Sequence, residues 1–223
     1  EVDRPVADYL PLCTVGRSFT VRNLLLHNSG LIWHRNLWEL RADASEAWQK
    51  IVDEPLEYEP QSRTEYSCIG FILLSRLLGA ILKPNARTDQ EWLESYRMFL
   101  QERWFGPLGM TSTGFLPSPM RAHLIAPTET GTAYRPDRRP GEVHDENAHF
   151  LGGISGNAGL FGTIDDLARF AQTMLCEANG LVSVGRWRKW TRQADPSSTR
   201  ALGWDTKSPE GSSAGRRFTK RSF

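Results

Sequence analysis

Cysteine is scarce in this sequence: Cys13, Cys68 and Cys176 are the three among 223 residues. They are odd in number, far apart and without the close spacing of a zinc site, which argues against a disulfide framework. One disulfide plus a free thiol fits the count as well as three free thiols, so the redox compartment stays open. Long apolar runs are also missing. The longest, "CIGFILLSRLLGAIL", is 15 residues with Arg76 inside it, whereas a spanning helix takes about 20; it reads as a buried core helix. Charge of neither sign dominates, since 27 basic against 26 acidic residues leave +1, so nothing drives the chain generally toward nucleic acid or an anionic membrane. There is no internal repeat. The chain opens on Glu1 with no charged-then-apolar leader, so any targeting segment is expected to have been removed or to lie outside it.

Several catalytic signatures are absent as well. Five glycines fall between Gly152 and Gly162 in "LGGISGNAGLFG", but no Gly-Lys-Ser/Thr follows and the spacing matches neither phosphate-loop pattern. The stretch instead predicts a tight loop that brings backbone close to a ligand or to another loop, with Asn157 as its candidate substrate-binding side chain. The serine-elbow pattern fails because Asn157 follows Gly153-Ile154-Ser155-Gly156. No serine has a lysine three positions later. His144, Asp145, Glu146 and His149 are dense enough to suggest a metal, but the two histidines are five apart where a helical metalloprotease site needs four. Hydrogen bonding that orders a loop is the better expectation, and neither a metal nor another cofactor is expected.

What is present is a helical pattern. Thr20 before "VRNLLLHNSG" predicts a capped short helix with a stop at Gly30. A Trp-rich connection, a helix over residues 44–53 and a Pro-interrupted loop follow. Thr88-Asp89-Gln90-Glu91 reads as a capping box opening a helix to about Trp104. Residues 111–142, rich in Pro, Gly and Thr, predict a long surface excursion. Thr163 predicts the cap of a helix whose apolar face carries Leu167, Phe170, Ala171, Met174 and Leu175. "LGWDT" and "RRFTKRSF" are the best strand candidates. The second, with Arg216, Arg217, Lys220 and Arg221, reads as a strand with one solvated face in preference to an anion-binding tail.

One heptapeptide stands apart. "EYSCIGF", residues 65–71, sets a phenol, a hydroxyl and a thiol at the mouth of the apolar helix. Ser67 is placed to cap that helix. Tyr66 then has two readings: a packed neighbour of the cap, or a proton-relaying phenol whose pKa the positive helix end draws down from about 10.

Together, "TVRNLLLHNSGL", "EPLEYEPQSRTEYSCIGFILLSRLL", "RWFGPLGMTSTGFLP", "APTETG", "VHDENAHFLGGISGNAGLFGTIDDLARFAQTML" and "LGWDT" resemble, in order and spacing, the serine hydrolases related to class C β-lactamases. That group includes D-alanyl-D-alanine carboxypeptidases and esterases, and the resemblance covers most of the chain. It implies an α+β fold, an antiparallel sheet flanked by helices and joined to a helical region, with residues 1–223 forming one such domain truncated at both ends. A mostly helical piece with an incomplete sheet is therefore expected.

The resemblance further implies a Ser-x-x-Lys nucleophile, a Tyr-x-Asn or Tyr-Ser-Asn element and a Lys/His-Thr-Gly strand around one cleft. Tyr66-Ser67-Cys68 falls on the second. Tyr66 would exchange protons with nucleophile and leaving group, and Cys68 would stand where an amide normally binds substrate. The first and third elements are expected outside this chain, which alone should form no acyl-enzyme. The implied parent hydrolyses amide or ester bonds of a small molecule or peptide, such as a β-lactam, a D-Ala-D-Ala peptide or an ester, and a periplasmic or secreted location would suit it. The competing expectations are a non-catalytic binding or structural module of the same fold, motivated by Cys68, and metal-assisted hydrolysis at the histidine cluster.

Overall fold

A computed structural model describes residues 1–40, 43–129, 132, 134–137, 139–210, 215, 217–219 and 222–223. Seven helices of α type are described: α1 (Val21–Leu25), α2 (Ala44–Val52), α3 (Cys68–Leu82), α4 (Asp89–Leu100), α5 (Glu146–Phe150), α6 (Ile164–Leu175) and α7 (Val184–Thr191). Two short strands, β1 (Arg200–Ala201) and β2 (Trp204–Asp205), form one antiparallel hairpin with Arg200 opposite Asp205 and Ala201 opposite Trp204. Among the described residues, no helix is long and apolar enough to cross a membrane.

The middle of the molecule is α3, and its sequence explains why. Apolar residues on every side leave no face suited to water, and Ile69, Ile72 and Leu73 are completely buried. Burying side chains of this size stabilises by about 1.5–3 kcal/mol each. Ser67 caps the helix, its Oγ accepting from Gly70 N at 3.0 Å while donating to Ile32 O at 2.7 Å. Further along, a β-carbon at Gly79 would meet the Trp92 carbonyl oxygen at 2.5 Å. Glycine there lets α4 pack backbone-close on α3. Arg76, the charge inside the apolar run, is paired with Asp89 and has its guanidinium carbon 3.1 Å from the Trp92 ring centre. Burial lowers its pKa to about 10, so it remains charged at neutral pH.

The predicted helix starts hold, with adjustments that have local causes. Thr20 and Asn23 form a reciprocal cap, Thr20 N donating to Asn23 Oδ1 at 2.8 Å and Asn23 N to Thr20 Oγ1 at 3.3 Å. Helix α1 ends before Gly30, because His27 already turns left-handed at φ 56°. Thr88 accepts from Glu91 N at 3.2 Å, but the Glu91 carboxylate reaches one residue further back, to Arg87 N at 2.6 Å. The expected run to Trp104 stops at Leu100 and continues as a wider turn over Gln101–Phe105.

The excursion over residues 111–142 is tied down at several points. Gly114 pairs with Phe161, and buried Asp166 at the start of α6 accepts from Ser112 N at 2.8 Å and Thr113 Oγ1 at 2.9 Å. Arg135, also buried, donates to Glu146 Oε2 at 2.8 Å and to the carbonyls of Val143 and His144. On α6 the predicted apolar face is only partly covered. Met174 is buried and Phe170 stacks on Trp204, whereas Leu167 and Leu175 face solvent. "LGWDT" contributes the hairpin turn at Leu202-Gly203 and all of β2. In "RRFTKRSF", the described residues Arg217, Phe218, Thr219, Ser222 and Phe223 are not in a strand. Arg216, Lys220 and Arg221 lie outside the described residues, and with them most of the charge considered for an anion-binding tail.

Candidate active site

The N-terminal end of α3 opens onto a cleft of about 280 Å³, lined by His27, Tyr66, Phe71, Asn157, Arg200 and Asp205 among others. Four distant segments build it: the turn after α1, the entry to α3, the glycine-rich loop and the hairpin. Tyr66 precedes the Ser67 cap and is 51% exposed, so its phenol is available to a ligand. A larger cavity of about 790 Å³ borders the C-terminal half of α3, where Arg76 and Asp89 already pair with each other. That one lies away from the tyrosine.

Cys68 Sγ stands 3.7 Å from Tyr66 Oη. Among the described residues this is the phenol's hydrogen-bond contact. The helix end does not draw the phenol's pKa down as the sequence suggested. Partial burial of the ring pushes it up, and the Cys68 contact adds to the rise, while Arg200 opposes it. Burial likewise raises the Cys68 thiol, partly offset by its interactions with Tyr66 and Asn157. Tyr66 and Cys68 are therefore a neutral phenol and a neutral thiol at pH 7, since desolvation penalises their charged forms.

The glycine-rich loop carries Asn157 to the same place. A β-carbon at Gly156 would lie 2.0 Å from the Phe71 carbonyl oxygen, so the loop rests directly on the first turn of α3. Gly153 and Gly159, at φ 84° and 111°, take conformations that glycine adopts most easily. Ser155 Oγ donates to Asn157 Oδ1 at 2.7 Å, which leaves the amide's N–H groups to face Cys68.

The cluster at residues 144–149 does order a loop. Asp145 caps α5 through Ala148 N at 2.8 Å, Glu146 holds Thr132 and Arg135, His149 meets the Tyr134 ring edge-on, and His144 approaches Glu129 at 3.5 Å. Among the described residues, no three His, Cys, Asp or Glu side chains converge as a metal-binding group.

Two cleft residues, His27 and Arg200, had no functional reading in the sequence. His27 is 5% exposed, and burial lowers its pKa to about 4, with Arg200 adding to the effect and Asp205 opposing it. Arg200 places its guanidinium carbon 5.9 Å from the Tyr66 ring centre and 3.5 Å separates its Nη1 from Asp205 Oδ2. The available signals were a lone histidine between a short apolar helix and Asn-Ser-Gly, and a cation just before "LGW".

Tyr66, just before the serine cap of the central helix, thus lines the same cleft as the Asn157 amide. The family described as Beta-lactamase matches residues 1–221, and the chain belongs to it. A protein of Escherichia coli O157:H7, provisionally named D-alanyl-D-alanine carboxypeptidase, is 33% identical over 182 residues, which are 73% of this chain and 39% of that protein. The chain thus spans about two fifths of the length of this curated relative. Among solved structures, FmtA from Staphylococcus aureus superimposes with a TM-score of 0.67 at 16% identity, covering 93% of this chain and 54% of that one. The D-amino acid amidase of Ochrobactrum anthropi gives 0.61 at 21% identity, covering 91% and 58%. The fold is accordingly α+β of the β-lactamase/transpeptidase type, here mostly helical with one small sheet.

Proposed function

We propose that this chain forms one wall of the active site of a serine hydrolase that cleaves amide or ester bonds through an acyl-enzyme. The Ser-x-x-Lys nucleophile and the Lys/His-Thr-Gly strand are contributed by sequence beyond these 223 residues. The observation that carries the proposal is the placement of Tyr66: a half-exposed phenol at the cap of the central helix, opening onto the same cleft as Asn157. Family membership supports the hydrolase class, and a carboxypeptidase-named relative and an amidase of the same fold support amide substrates.

In this reading Tyr66 acts as a neutral phenol. It gives its proton to the leaving nitrogen or oxygen and recovers one from the incoming serine hydroxyl or water, so the proton count closes. Cys68 is a weak donor and acceptor, as thiols are. Asn157, whose N–H groups face it, supplies the substrate-orienting amide instead. Substrates are β-lactams, D-Ala-D-Ala peptides or esters.

The test is Tyr66→Phe in a longer chain that carries the nucleophile, assayed on a D-Ala-D-Ala peptide, a β-lactam and an aryl ester. A drop in kcat of about 100-fold or more is expected. An unchanged rate removes Tyr66 from the proton path. If the wild-type longer chain turns over none of the three substrates, the non-catalytic module is the better reading.

A further inference from the structure

His27 has no part in the proton path just described, yet it is the deeply buried residue of the cleft lining. Its contacts converge on Tyr66. The His27 carbonyl accepts from Glu65 N at 2.8 Å, and its ring Nδ1 accepts from Ser67 N at 3.0 Å. One residue thus holds the peptide N–H groups on both sides of Tyr66. Its ring also lies against the phenol, 4.8 Å between centres, and stacks on Phe71 at 4.7 Å.

This geometry fixes the tautomer. A ring nitrogen that accepts from Ser67 N cannot itself carry a proton, so the neutral ring is protonated at Nε2. It also explains the choice of residue. Phenylalanine offers the ring without an acceptor. Asparagine, whose Oδ1 occupies the same branch position as Nδ1, offers the acceptor without the ring. The backbone is left-handed at φ 56°, where histidine and asparagine are tolerated better than most residues.

We infer that His27 is the positioning residue for Tyr66, clamping the backbone on either side of the phenol and supporting its ring, and that it does so as the Nε2-protonated neutral imidazole. The role of Tyr66 itself rests on the acyl-transfer proposal. The clamp can be tested without turnover.

In the 223-residue chain labelled with ¹⁵N, long-range histidine spectra at pH 7 are expected to show His27 with Nδ1 unprotonated. In His27→Ala the Ser67 amide should exchange with solvent at least about tenfold faster, while the Ala148 amide, capped by Asp145, is unchanged. In His27→Asn the Ser67 protection should persist while the Tyr66 ring resonances lose the shift imposed by the imidazole. A proton on Nδ1, or Ser67 exchange equal in wild type and His27→Ala, overturns the inference. Should the variants fail to fold, the tautomer in the unaltered chain decides. In a longer, active chain, His27→Asn should lower kcat at unchanged KM; if that chain hydrolyses nothing, the acyl-transfer proposal falls and the spectra still judge the clamp.

Discussion

The Phe71 carbonyl oxygen and Gly156 are so close that a β-carbon at residue 156 would lie 2.0 Å from that oxygen, far inside van der Waals contact. This is where the glycine-rich loop is seated on the central helix, and Asn157 is the next residue. Replacing Gly156 with alanine forces loop and helix apart. A loss of about 1–3 kcal/mol is expected, the range for forcing extra volume into packed structure, read from urea denaturation. The Asn157 side-chain amide signals should move with it; a variant of wild-type stability would mean the seat yields freely.

Titration of His27 gives stability a pH dependence of known sign. Its folded pKa, lowered to about 4 chiefly by burial, lies below the ordinary value of 6.5. The unfolded chain therefore binds more protons between those values. The contribution is complete above about pH 6.5 and is lost as pH falls toward 4, amounting to roughly 3 kcal/mol in total. Arg200 works in the same direction and Asp205 against it. Carboxylates titrate in the lower part of this window, so the readout is the difference in urea stability between the chain and His27→Asn at pH 7.5 and pH 4. The gap between them should narrow on acidification.

Asn147 is completely buried and joins two segments, accepting from Leu37 N at 3.1 Å and donating to Arg35 O at 2.9 Å. Asn147→Asp keeps the acceptor, loses the donor and introduces a buried charge. Asn147→Leu removes both. The aspartate leaves the Arg35 carbonyl unsatisfied and the leucine leaves both that carbonyl and Leu37 N, at about 1–3 kcal/mol for each group, with the aspartate costing more at pH 7 than at pH 4. Urea melts at the two pH values distinguish them.

The direction of the Tyr66 pKa can be measured directly. Several tyrosines titrate in this chain, so the signal is the ultraviolet difference between the chain and Tyr66→Phe as pH rises. Burial is the leading cause of the shift, and the midpoint is expected above 10. A midpoint below that value would restore the helix-end effect as the dominant influence on the phenol.

Local chemistry made the helix starts legible. Thr20, Ser67, Thr88 and Thr163 all accept hydrogen bonds from the first turns they precede, because a cap is decided within three residues. Tyr66 and Cys68 stood out for the same reason. The cleft was less legible, because it depends on contacts between remote segments. His27 meets Ser67 across 40 positions, and Arg200 reaches Tyr66 only after the hairpin has docked through Gly203 N on Leu25 O at 3.1 Å. No periodicity encodes either contact. The α6 face shows the other limit: spacing grouped Leu167 with Met174, but only packing decides which of them is covered.

The cleft's composition also orders events in time. The grip of His27 on Glu65 and Ser67 needs no residue later than Ser67 and can form once that stretch has left the ribosome. Its far wall, Arg200 to Asp205, lies far later in the sequence and is made correspondingly later. Contacts of such long range are slow to form. Until the hairpin docks, the emerging chain holds the phenol in position beside a cleft that still lacks its Arg200 wall.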